Sequence, residues 1–253
     1  MPPTAFRQSV CRWCYPTIPL PALAAAARDL GLASVELLDP ADWPVVQQAG
    51  LTCAVANGTT TITEGFNRME HHARFVPSMI ERIQACGAAG LPNVICFPGS
   101  RDGMSDEEGL ANCVTGLRQI VGAAERAGVT VLMELLNSRV DHPDYMCDRT
   151  AWGVELVRRV GSGRFKLLYD IYHMQIMEGD VIRTIRTHHA SIGHYHTGGN
   201  PGRHEIDATQ ELNYPAIMRA IRDTGFTGFV AQEFVPAQDP LTSLREAVAL
   251  CNV

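Results

Sequence analysis

Eight short apolar or β-branched runs recur along the chain, each followed by a longer segment with the apolar spacing of a helix. The runs are residues 7–13, 34–38, 51–57, 93–99, 130–136, 165–173, 191–197 and 228–234. The helix-like segments are 20–30, 41–49, 68–89, 105–127, 148–160, 179–189, 214–224 and 240–251. Alternation this regular predicts parallel strands joined by crossover helices. Gly31, Gly50, Gly90, Gly128, Gly161 and Gly225 each fall between a helix-like segment and the next run. Glycine suits the left-handed residue that closes a helix. Ser105 with the three acids after it, and Asp148, read as helix starts. An open doubly wound sheet would share the alternation, but the glycine-rich turn that a nucleotide fold places after its first strand is missing. Eight units in 253 residues therefore predict an α/β fold, a single-domain (β/α)8 TIM barrel over residues 1–253, a fold that typically takes about 250 residues.

Composition narrows the function classes. Apolar residues make up 46% of the chain and charged residues 19%, so a packed core is expected. The formal net charge of −6 argues against nucleic acid as a partner, because displacing counterions needs a dense basic surface. The opening MPPTAFRQSVCRWCYP has no apolar stretch of the signal-peptide kind. The longest apolar runs break within about ten residues, against about 20 for a membrane helix. The eight cysteines are scattered, several in apolar settings such as Cys53 and Cys96, and read as buried thiols of a reducing cytoplasm. Cys11 and Cys14 form a C-x-x-C without a second pair at zinc-site spacing.

The chemistry is expected where barrel chemistry sits, at the C-terminal ends of the strands. The fifth run offers Glu134, the sixth Asp170 and His173, the seventh His194 and His196, and the eighth Glu233. The second offers Glu36 and the third Asn57. Any one of these acids alone reads as an inward carboxylate paired with an arginine, and His196 alone as a core histidine. An acid or imidazole in such a run is costly to bury unless paired, protonated or bound to metal, and four together, one from each of four successive strands, point to a shared cation. Glu134, Asp170, His196 and Glu233 form an oxygen-rich set suited to Mn2+ or Mg2+, with Co2+ also acceptable. His194 points to the same face as His196; His196 lies nearer the loop and is the expected ligand. His173 is expected to hydrogen-bond substrate or support the site. Arg203 and His204, in the polar segment HTGGNPGRHEID, can reach over the barrel mouth, and the Arg203 fork suits a carboxylate or carbonyl oxygen. Trp13 reads as a pocket wall or a core residue, and the paired histidines at 71–72 and 188–189 as exposed helix residues.

The segments MELLN, YDIYHMQ, GHYHTGGNPGRHEID and QEF resemble the xylose isomerase-like (AP endonuclease family 2) barrel superfamily. Within it, NPGRHEID followed by ELNYPAI is similar to the hydroxypyruvate isomerase family. That resemblance implies an intramolecular oxidoreductase acting on a short hydroxy-keto or hydroxy-aldehyde acid, with dimers or tetramers as the usual assembly. It matches Glu134 and Glu233 to the catalytic glutamates, Asp170 to a metal ligand, and Arg203 and His204 to a substrate-side RHE motif. The family pattern has glutamine where this chain has His196, and histidine there resembles ketohexose 3-epimerases.

The expected reaction is proton transfer through an enediolate on a small sugar or keto acid. Proton return to the neighbouring carbon isomerises, and return to the same carbon from the opposite face epimerises. A polyol dehydratase of the inosose type could use the same metal site. An endonuclease-IV-like hydrolase needs further histidines from the third and fourth strands, which offer Asn57 and Phe97-Pro98-Gly99 instead. A non-catalytic sugar-acid binder would have no need of two carboxylates beside a metal.

Overall fold

The computed structural model describes residues 6–253. The chain forms two compact units, one made of the segments up to Ala54, Asp180–His189 and His194–Val253, the other of Val55–Gly179 and Ala190–Gly193.

The first unit holds strands β1 (Arg7–Cys11), β2 (Ser34–Glu36), β6 (Ile192–Thr197, from His194 onward) and β7 (Phe229–Gln232). They run parallel in the order β2-β1-β7-β6. Helices α1 (Leu20–Asp29), α2 (Trp43–Gln48), α7 (Val181–His188), α8 (Tyr214–Asp223) and α9 (Pro240–Leu250) belong to the same unit. Asn213 caps α8 and Asp239 caps α9, each side chain accepting a backbone N–H from the first turn. Leu23, Ile217, Ile221, Leu244 and Val248 are buried on the helices, as are Val10, Val35 and Val230 on the strands.

The second unit holds β3 (Asn93–Cys96), β4 (Thr130–Leu135) and β5 (Phe165–Asp170), again parallel, in the order β3-β4-β5. Helices α3 (His72–Ala88), α4 (Asp106–Ala127), α5 (Thr150–Val160) and α6 (Ile171–Met177) accompany them. Ser105 caps α4 through its hydroxyl, as its position before three acids predicts. Gly128 and Gly161 close α4 and α5 in the left-handed conformation, at φ 69° and 74°. Strand-to-strand contact is apolar, with Val94, Ile95, Leu132, Met133 and Leu167 all buried.

Three expectations change. Residues 51–57 make isolated bridges, Ser34 to Thr52 and Ala56 to Val94, so seven strands are seen among the described residues where eight runs were read. The Ala54 N–H goes to the Ser34 hydroxyl at 2.8 Å, a side-chain partner that breaks the backbone ladder between the two bridges. The run 165–173 stops as a strand at Asp170 and turns directly into α6, with Asp170 as its N-cap. The paired histidines also differ from the reading, for His72 is buried and bonds the Phe66 carbonyl at 2.9 Å. All eight cysteines are buried thiols, none paired in a disulfide. No helix among the described residues is long and apolar enough to cross a membrane.

Parallel register fixes which side chains share a face. Val10 pairs with Gln232, Cys11 with Glu36, and His196 with Ala231. Side chains alternate along each strand, so Cys11, Glu36, His194, His196 and Glu233 fall on one face. Gln8, Thr197 and Gln232 fall on the other. There the Thr197 hydroxyl donates to Gln232 at 2.9 Å, Gln232 donates to Gln8 at 3.0 Å, and Gln8 donates to the Val248 carbonyl of α9 at 3.0 Å. All three side chains are buried. Gln232→Leu is expected to leave Gln8 and Thr197 short of a partner and cost about 1–3 kcal/mol. Thermal unfolding followed by circular dichroism should register a drop of several degrees.

Candidate active site

In the first unit the functional face is built around two carboxylates and two imidazoles, all essentially buried. Glu233 follows β7 directly. One of its oxygens accepts the Trp13 indole N–H at 2.7 Å. The other lies 2.6 Å from His196 Nδ1 and pairs with the Arg203 guanidinium. Burial alone would raise the Glu233 carboxyl. The charges of His196 and Arg203, with hydrogen bonds from His196 and Trp13, overcome it and hold the group well below the usual carboxylate range.

Glu36 ends β2. Its Oε1 lies 2.9 Å from Nε2 of His194 and 2.9 Å from Nε2 of His196. Here too burial raises the carboxyl, and the two imidazoles win, bringing it to about 2. Cys11 Sγ stands 3.8 Å from both Glu36 Oε1 and His196 Nε2. Burial and the neighbouring Glu233 push that thiol well up, so it stays protonated.

The His196 ring therefore has a carboxylate at each nitrogen. With one hydrogen on Nε2 for Glu36, the Nδ1 lone pair faces a Glu233 oxygen at 2.6 Å. Two acceptors at that separation repel unless a proton or a cation satisfies both. An imidazole nitrogen and a carboxylate oxygen are also ordinary donors to a divalent ion. The residues present thus fit a metal.

Arg203 reaches Glu233 from a loop in which its own backbone is left-handed, at φ 57°. Two backbone hydrogen bonds pin it there, Arg203 N to Gly199 O at 2.8 Å and Val235 N to Arg203 O at 2.7 Å. A Cβ on Gly199 would stand 2.1 Å from the Glu205 carbonyl oxygen, so that approach requires glycine. The guanidinium also lies over the Trp13 ring at 5.4 Å. Trp13 sits on a 3-10 turn after β1 and is 47% exposed, which places it as a wall rather than core. His204, next to Arg203, is exposed and donates from Nδ1 to the Val235 carbonyl at 2.9 Å.

In the second unit Glu134 lies near the end of β4 and Asp170 ends β5. Glu134 pairs in register with Leu168, two residues before Asp170, so both carboxylates project from the same face of adjacent strands. Both are buried. Asp170 accepts the His173 backbone N–H at 3.1 Å, and its other oxygen lies 3.7 Å from His173 Nε2. Asn137 donates to His173 Nδ1 at 2.6 Å. His173 is fully buried against Asp170 and is not a surface histidine.

Sequence reading did not foresee the position of Glu36 between two histidines, the Trp13 bond to Glu233, or Asn137 beneath His173. Glu36 carried a signal, since an acid closing a three-residue buried strand is rarely idle.

Residues 24–252 match the sequence model described as xylose isomerase-like TIM barrel. The chain is 31% identical over 229 residues to a 2-oxo-tetronate isomerase of Cupriavidus necator, covering 86% of this chain and 87% of that protein. It is 28% identical over 249 residues to a human protein described as putative hydroxypyruvate isomerase, covering 92% and 90% of the two chains. Among solved structures, an AP endonuclease family 2 protein from Brucella melitensis shares the fold with a TM-score of 0.83 and 24% identity, over 94% of this chain and 97% of that one.

Proposed function

The chain belongs to the xylose isomerase-like TIM barrel family, and on that premise we propose that it is a metal-dependent isomerase of a short hydroxy-keto acid. The carrying observation is His196 held between two carboxylates, with Nδ1 2.6 Å from Glu233. Glu134, Asp170, His196 and Glu233 are the proposed ligands of one divalent cation, Mn2+ or Mg2+. When bound, the cation supplies Lewis-acid polarisation of the substrate carbonyl.

The protein's own groups do the rest. Glu233, kept ionised by its neighbours, takes the proton from the hydroxyl-bearing carbon beside the carbonyl. Glu134, protonated, is the proposed partner that gives a proton to the former carbonyl carbon while the hydroxyl proton passes to the former carbonyl oxygen, which moves the carbonyl by one position; proton exchange with solvent then resets both carboxyl groups. Arg203 and Trp13 hold the Glu233 carboxylate in place, and Arg203 is suited to attract the substrate's own carboxylate. His173 steadies Asp170. The relatives' names point to three- and four-carbon 2-oxo acids as substrates. Histidine at position 196 favours a second reading, epimerisation, in which the proton returns to the same carbon from the other face.

The direct test is a screen of three- to six-carbon 2-oxo acids and ketoses in deuterium oxide with Mn2+ or Mg2+. Solvent deuterium is expected to enter the carbon next to the carbonyl, and its absence from every compound would sink the enediolate reading. Trp13→Phe, which removes the indole N–H and keeps an aromatic wall, is expected to lower kcat/KM about tenfold, equivalent to about 1.4 kcal/mol for one charge-assisted bond. Steady-state kinetics on the identified substrate would measure it.

A further inference from the structure

We propose that Glu36 is a positioning residue that sets His196 so that Nδ1 is its ligating atom and His194 takes no part in ligation. This rests on the metal reading above and goes past it to a residue outside the four proposed ligands.

The argument is geometric. Glu36 Oε1 is 2.9 Å from the Nε2 atoms of both histidines, and the two rings stand 5.1 Å apart at 86°. An ionised carboxylate only accepts hydrogen bonds, so each contact requires the hydrogen to sit on Nε2. Nδ1 is then the nitrogen each ring has left for another partner. For His196 that nitrogen faces the Glu233 oxygen. For His194 it is buried with no hydrogen-bond partner.

A histidine whose outer nitrogen donates to a carboxylate is fixed in tautomer and orientation, and its inner nitrogen becomes a better donor to a metal. His194 serves the same carboxylate from the other side, bracing Glu36 against rotation. The backbone adds to the constraint. Leu37, next to Glu36, is left-handed at φ 58°, a conformation unfavourable for a bulky residue that ends the strand at the carboxylate. The competing arrangement is a cation on the opposite side of His196, where Cys11, Glu36 and His196 also offer three ligand atoms within 4.8 Å of one another. It would require His196 to ligate through Nε2 and give up Glu36 as its acceptor.

Three measurements on the full chain decide between them. Nitrogen-15 spectra of histidine-labelled protein with Mg2+ are expected to show His196 protonated on Nε2 and unprotonated on Nδ1. The protein loaded with Co2+ is expected to lack a thiolate-to-cobalt charge-transfer band. Calorimetric titration with Mn2+ is expected to show about 10–100-fold weaker binding for Glu36→Gln, and a smaller loss for His194→Phe. Ligation through Nε2, or a cobalt–thiolate band, overturns the assignment even if the Glu36→Gln protein fails to fold. Unchanged Mn2+ affinity in a folded Glu36→Gln protein overturns the positioning role while the metal reading stands. If the unaltered protein binds neither Mn2+ nor Mg2+, the metal reading falls and this inference with it.

Discussion

Glu233→Gln is expected to lower turnover by about 10²–10⁴-fold, the range that a positioned acid–base group supplies. The substitution keeps the shape and removes the charge. In the folded protein that charge is held by His196, Arg203 and Trp13 together, so the carboxylate is ionised at neutral pH and able to accept a proton. An amide cannot accept one. Because Glu233 is also a proposed ligand, the assay belongs at saturating Mn2+, where weakened metal binding no longer contributes. The informative quantity is the rate of deuterium washing into substrate. A rate near that of the unaltered enzyme, with circular dichroism showing a folded protein, would remove Glu233 from the role of base. Some loss of stability should accompany the change, since Arg203 is left without its counter-ion in a partly buried setting.

Treatment with a strong chelator is expected to abolish turnover, and added Mn2+ or Mg2+ to restore it. The same experiment has a readout that does not depend on knowing the substrate. A ligand that binds only the folded chain stabilises it by about 2.7 kcal/mol at 100 times its dissociation constant. The midpoint of thermal unfolding should therefore fall on chelation and recover on adding the metal. A chelator presaturated with Mn2+ controls for effects of the chelator itself. Full turnover in protein with no metal detectable by elemental analysis would contradict the proposed centre.

Much of this was legible in the chain before any coordinates, and the reasons are specific. Helix limits came from capping chemistry, so α4 begins after Ser105 and ends at Gly128. The four strand-end groups stood out because acids and imidazoles within Val- and Leu-rich runs are costly to bury. Position 170 was misread locally. In FKLLYDIYH the apolar residues continue past Asp170, and the run looked like one long strand. Asp170 followed by apolar residues at 171, 174 and 177 is equally the start of a helix, and capping by the aspartate decides it. The run 51–57 was misjudged for another reason. A serine 20 residues earlier, in the preceding strand, takes the backbone hydrogen that a ladder would have used, and no local pattern announces that. The partners of Glu36 were invisible for the same cause, being 158 and 160 residues distant.

The backbone at Arg203 has a meaning for how such a protein changes over generations. A left-handed position pinned by two hydrogen bonds is one where glycine relieves strain, by about 1 kcal/mol or more. Selection for stability alone would therefore drift toward glycine there. Arginine persists against that drift only where its side chain contributes more to fitness than the strain removes. The tolerance of position 203 in a random library is thus a compact record of the balance between robustness and activity, because the substitution that most relaxes the loop also removes the cation beside Glu233.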